Sequence, residues 1–250
     1  SSSAASDVYK RQDMGSKKKL PLSVKIWLSA VVVFVVMMGL FAVSASSSST
    51  EMVLRQGETT NFEVFRPFAT EMVWYRQCFY AESNRPELGE HGVTNYDSEE
   101  WKSRQILRFN NPGEPVHVAI SLNGQTCRYQ ALPTSSMGYH MQCRELGAQA
   151  DESGKAFHLI PACQLRERSG WNKVSITVEK VSPVLAGERV TLIGNPPLQF
   201  ESYYPGSIYN LLWPMHLWPF WLFILILWGI ILGIVLYRRR KKIKQTHLET

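Results

Sequence analysis

Two apolar stretches, residues 26–43 and 217–236, bracket a long polar middle, and lysines and arginines flank each stretch on its outer side only. At ~1.5 Å per residue a helix of about 20 residues reaches ~30 Å, the thickness of a bilayer's hydrocarbon core. The second stretch is therefore long enough to span a membrane. Lys17, Lys18, Lys19 and Lys25 lie before or at the edge of the first stretch, and Arg238, Arg239, Arg240, Lys241, Lys242 and Lys244 follow the second. Positive charge beside a span stays on the cytoplasmic side. Both termini are thus expected inside a cell inner (plasma) membrane, with the middle domain periplasmic or extracellular.

The chain carries +6 overall, yet residues 51–211 hold 15 Lys and Arg against 18 Asp and Glu, a net of −3. The basicity belongs to the flanks. A nucleic-acid binder would carry its positive charge on the folded domain, so no nucleic-acid partner is expected.

Residues 1–13, SSSAASDVYKRQD, have no apolar periodicity and look like a non-native leader, the stray peptide of a sequencing adaptor translated in frame; Met14 is the expected first natural residue. Residues 14–25 form a basic cytoplasmic segment. The apolar run 26–43 ends in Val43-Ser44-Ala45 and a serine tract, which also fits a secretory signal peptide cleaved after Ala45. The run exceeds the ~7–15 residues of a signal core, so a transmembrane signal anchor is the preferred reading. Residues 44–50 then serve as a tether, 51–204 as the folded domain, 205–216 as a juxtamembrane segment, 217–237 as a transmembrane helix and 238–250 as a basic cytoplasmic tail.

Trp213, Trp218 and Trp221 gather at the outer end of the second span and Tyr237 at its inner end, the depth that amphipathic rings prefer. From Leu217 to Leu236 there is no charged residue and no Asn, Gln, Ser or Thr, which disfavours an ion path or proton relay. Gly229 and Gly233 form a small-xxx-small pair that suits helix–helix association through this span.

The middle domain reads as short strands between turn signals. Val116, Val118, Ile120 and Leu122 alternate with His117, Ala119 and Ser121, the period-2 pattern of a strand with one buried face. Asn123-Gly124 is a two-residue hairpin turn into the next strand. Val174, Ile176 and Val178 repeat the alternation, and 189–193 makes a last strand. Eight or nine such strands without intervening helices define an all-β fold, an antiparallel β-sandwich, flanked by the N-terminal signal anchor (or signal peptide) and the C-terminal transmembrane helix. The longest stretch without strand pattern, 81–101, is a candidate functional loop.

Cys78, Cys127, Cys143 and Cys163 all fall in the outward-facing domain, and an even set in an oxidising compartment implies two disulfides. Cys127 with Cys143 and Cys78 with Cys163 is the expected pairing, because 127 and 143 flank a plausible hairpin. A metal reading would combine Cys127, His140, Cys143 and Cys163, but it lacks the paired short knuckles of structural zinc sites. His91, His117, His140 and His158 sit in no nucleophile motif, and no carboxylate pair is set at the spacing of a glycosidase. No catalytic residue, metal site or cofactor is expected, and the protein is not read as an enzyme.

No Asn-x-Ser/Thr acceptor occurs in residues 51–211 despite nine asparagines, which leans towards a bacterial envelope. The expected function is a membrane-anchored binding module that captures a protein or envelope ligand, in one version as an inhibitor or immunity-type protein. Arg85, Glu90, Tyr96 and Trp101 in the long loop are the candidate contact residues, since Tyr, Trp and Arg dominate binding hot spots. The alternatives are a structural spacer subunit of a membrane or envelope complex and, third, an envelope hydrolase.

Overall fold

The computed structural model describes residues 20–70, 74–92, 97–138, 140–151, 154–158, 163–198 and 207–246. Leu40–Trp213 forms one compact unit, and the chain on either side of it forms the other.

Among the described residues, two helices are long and apolar enough to cross a membrane. Helix α1 is Leu22–Ser44, opened by Pro21, whose carbonyl accepts from the Val24 and Lys25 amides at 3.0 and 3.2 Å. A 3₁₀ segment, Ile208–Leu217, leads into the other long helix. Its Pro214 carbonyl accepts from the Trp221 indole at 3.0 Å, and Pro219 falls in the first helical turn, where its missing N–H costs nothing.

The larger unit is antiparallel β throughout, as the alternation implies. Its strands are β1 Ser48–Val53, β2 Thr59–Arg66, β3 Tyr75–Tyr80, β4 Ile106–Arg108, β5 Val116–Leu122, β6 Gln125–Gly138, β7 Met141–Ala150, β8 Ala156–His158, β9 Gly170–Val181 and β10 Arg189–Gly194. A one-and-a-half-turn helix, α2 Glu99–Arg104, lies in the long connection, and α3 Trp218–Thr246 is the C-terminal helix. Eight strands follow one hydrogen-bonded path, β1-β10-β3-β7-β6-β5-β9-β2, and β4 and β8 form a side ladder on β7. β1 and β2, at the two ends of the path, approach each other, so the sheet curls almost into a barrel. Asn123 and Gly124 both have positive φ (50° and 91°), the requirement of the two-residue hairpin turn joining β5 to β6.

The main core fills the inside of this curl. Tyr75 and Phe79 of β3, Val118 and Ile120 of β5, Val174 and Ile176 of β9 and Val190 and Leu192 of β10 all face it. A second cluster of Leu107, Phe109, Leu132, Ala148 and Phe157 lies beneath the β4–β8 ladder, with Trp74 and Trp101 packed against it.

Among the described residues, two arginines are wholly inside. Arg66 pairs with Glu167 (Nε to Oε2 2.5 Å, Nη2 to Oε1 3.2 Å) and donates to the Asn195 carbonyl at 2.9 Å. Burial pushes the Glu167 carboxyl up, while Arg66 pulls it the other way. Arg144 has a different partner set, all backbone: the carbonyls of Leu132 (2.7 Å), Glu114 (2.6 Å), Ala131 (3.0 Å) and Pro112 (3.3 Å). Two of these carbonyls belong to β6. Pro133 has no amide to give the ladder, and the β6–β7 register shifts on either side of it. In that irregular stretch the Arg144 guanidinium, from the facing strand, takes the Ala131 and Leu132 carbonyls. Burial pushes that guanidinium down to about 9, with Glu114 opposing, so it stays charged at neutral pH.

The expected disulfide pairing is wrong. The bonds are Cys78–Cys143 and Cys127–Cys163. The 127/143 expectation assumed a short hairpin, but β6 runs on to Gly138, which pairs with Met141 at the start of β7; this places Ser136 opposite Cys143 and leaves Cys127 far along β6. Cys143 instead lies directly across from Cys78 on β3, with Cα atoms 4.0 Å apart.

Candidate functional site

In the long connection, the described contact candidates are engaged inside the protein. Arg85 forms a two-pronged pair with Glu188 (2.7 and 2.9 Å), bonds Glu87 at 2.7 Å and lies over the Phe79 ring, 5.6 Å from its centroid. The Glu188 hydrogen bonds raise the Arg85 guanidinium further above its ordinary range, with burial opposing and Glu87 adding. Glu90 accepts from the Asn110 amide at 2.5 Å and donates its own amide to the Asn111 carbonyl at 3.0 Å. Here the backbones of Gly89 and Gly113 cross so closely that a Cβ on Gly113 would stand 2.5 Å from the Gly89 nitrogen. Trp101 sits in α2, whose N-cap Ser98 accepts from the Trp101 amide at 3.1 Å, and its ring packs against the second core cluster. Tyr96 lies outside the described residues. Arg85, Glu90 and Trp101 thus tie the described parts of the connection to the domain.

The four histidines do not converge. His117 faces outward on β5, His158 ends β8, His140 stacks on Tyr80 at 5.9 Å and His91 lies in the long connection. Burial, then Lys180, pushes His117 down. Among the described residues no three His, Cys, Asp or Glu side chains gather as a metal site, and the three cysteines of the metal alternative are all held in disulfides.

A more open surface lies on the outer face of β2, β9 and β5. There a groove of about 490 Å³ is lined by Asn61, Glu63, Ser121, Asn123, Lys173 and Ser175, with Phe62, Gly124 and Val174 in its floor and walls. Register explains the set, since Asn61, Ser175 and Ser121 stand in one cross-strand row and Glu63 and Lys173 in the next. Ser121 and Thr126 share a hydroxyl hydrogen bond of 2.6 Å beside it. One row further, Phe65 and Trp171 are cross-strand partners in an edge-to-face pair, centroids 5.3 Å apart. Phe65 is 39% exposed and Trp171 68%. Both fall in the polar phase of their strands, Phe65 with Asn61 and Glu63, Trp171 with Lys173 and Ser175. An aromatic in that phase was a signal in the sequence that the loop-centred reading passed over.

The geometry defines an all-β domain tied by two disulfides, carried in a chain with two helices suited to a membrane. No known family matches the sequence, and no curated protein does. Among solved structures, a protein from Sulfurospirillum deleyianum aligns over 60% of this chain and 97% of its own length at 13% identity and a TM-score of 0.35. A CBM35 domain of Cellvibrio japonicus Abf62 aligns over 57% and 65% at 10% identity and a TM-score of 0.23. A ruminal GH26 endo-beta-1,4-mannanase aligns over 65% and 25% at 13% identity and a TM-score of 0.24. These likenesses are to β-rich domains and carry no argument about activity.

Proposed function

We propose that the protein is a membrane-anchored binding module that captures a protein or envelope ligand on the outer face of β2, β9 and β5. The observation carrying this reading is the exposed Phe65–Trp171 pair beside an open polar groove. Large rigid aromatics next to hydrogen-bonding side chains are what binding surfaces use, because they bury much area for little entropy. The edge-to-face pair adds about 0.5–1.5 kcal/mol to the sheet, yet most of the indole is left to solvent.

The basic clusters outside the apolar segments support a topology with both termini cytoplasmic in the inner (plasma) membrane. The disulfides support an oxidising compartment for the domain, periplasmic or extracellular. Neither feature calls for catalysis, and the function is read as capture, with an inhibitor or immunity-type role as one concrete form.

The test is affinity capture by the full-length, detergent-solubilised protein from envelope and secreted fractions, wild type beside Trp171→Ala. A stoichiometric partner held by the wild type and lost by Trp171→Ala, at an unchanged melting temperature, is the expected result. A partner kept by the variant refutes this face as the binding surface. A membrane complex co-purifying equally with both favours the spacer role.

A further inference from the structure

The two apolar helices carry one specific contact between them. The Trp27 indole of α1 donates to the Leu225 carbonyl of α3 at 3.0 Å. In an α-helix that carbonyl is the acceptor of the amide four residues on, which is Gly229, so the indole uses the carbonyl's second lone pair. Gly229 is what lets the ring approach. A Cβ built there would stand 3.0 Å from Cζ2, 3.2 Å from Cε2 and 3.3 Å from Nε1 of Trp27, whereas a Cβ on Gly233 would meet nothing within 4 Å. Of the small-xxx-small pair, one member is occupied by the chain's own first helix and the other stands in open space.

Val43-Ser44-Ala45 is not extended, as a peptidase substrate must be; the Ala45 amide donates to the Phe41 carbonyl at 2.8 Å and the Ser44 hydroxyl to the Leu40 carbonyl at 2.6 Å. Ser44 is fully buried, and its own carbonyl accepts the Leu198 amide at 3.2 Å. Cleavage after Ala45 would strip that buried amide of its acceptor and remove the indole over Gly229.

We propose that α1 is retained in the mature protein as a second membrane helix, docked on α3 through Trp27 over Gly229. A helix carbonyl that a glycine leaves open to approach gives the indole N–H a fixed partner, and the contact sets the register of the two helices. The inference goes beyond the binding reading and is independent of it.

The experiment uses the full chain with a C-terminal tag, expressed in a bacterial membrane. Intact-mass and N-terminal peptide analysis is expected to find residues 22–44 in the mature product; a mature N-terminus at Ser46 overturns the proposal. Gly229→Leu is then compared with Gly233→Leu, and Trp27→Phe, which keeps the ring but loses the donor, with both. Gly229→Leu and Trp27→Phe are expected to lower the melting temperature of the solubilised protein by several degrees while Gly233→Leu leaves it unchanged. Equal behaviour of the two glycine variants overturns the docking.

Discussion

Replacing Arg144 with methionine tests the account of how β6 tolerates its proline. The substitution keeps most of the side-chain volume and removes every donor. Four backbone carbonyls then lose their partner: those of Leu132, Glu114 and Ala131 at 2.6–3.0 Å, and that of Pro112 at the longer 3.3 Å. A buried acceptor left unmade costs about 1–3 kcal/mol. Counting only the three short bonds at the low end gives a loss of about 3 kcal/mol. Removing a buried charge returns some desolvation energy, but backbone carbonyls, unlike a side-chain partner, cannot be replaced by an apolar group, so the penalty stays. For a domain of this size about 1 kcal/mol shifts the melting temperature by ~2–4 °C, so Arg144→Met is expected to melt about 6–12 °C below wild type by differential scanning fluorimetry. Arg144→Lys, with three donors on one point instead of a planar fork, should fall between. A melting temperature for Arg144→Met within about 2 °C of wild type would sink the reasoning.

Non-reducing peptide mapping is expected to recover Cys78 linked to Cys143 and Cys127 linked to Cys163, spanning 65 and 36 residues; chain-entropy arithmetic puts the loss on removing either at about 4 kcal/mol at most, and any peptide joining 127 to 143 would contradict the register. The Glu87 carboxyl is held below the usual carboxylate range by a backbone hydrogen bond and then by Arg85. A depressed folded-state acid contributes stability that is complete above its unfolded value and lost as pH falls through its folded value. Melting temperature measured from pH 7 to pH 3 should therefore drop on the acid side less steeply in Glu87→Gln than in wild type, and parallel curves would count against the Arg85–Glu87 contact.

How much of this was legible beforehand depended on how many faces of each strand are buried. β5 and β9 each have one face in the core and one outside, so their alternation announced them, as the Asn123-Gly124 pair announced the turn between β5 and β6. β7 was not announced. Its pattern is nearly all buried, because one face packs into the main core through Leu146 and the other side of the domain covers Ala148 with the second cluster. A strand covered twice has no period of two to read. The disulfide pairing failed for a related reason: it depends on where β6 turns into β7, and the long irregular β6 hides that point from sequence. Contact residues were expected in the longest loop because length and turn residues marked it. Arg85, Glu90 and Trp101 proved to be the groups that pin that loop down, and the exposed aromatics came from strands whose partners only the register reveals.

The first residue of β1 and the last of β10 are themselves cross-strand partners, Ser48 opposite Gly194. Antiparallel partners have Cα atoms only ~4.5–5.5 Å apart, so the sheet begins and ends at nearly one point. A domain closed in this way occupies, from the standpoint of whatever chain carries it, scarcely more than the width of a tight turn. Ends that lie this close suit a domain to insertion. The same property makes it a candidate for transplantation into the loop of an unrelated host, or for circular permutation with a short linker across its joined ends.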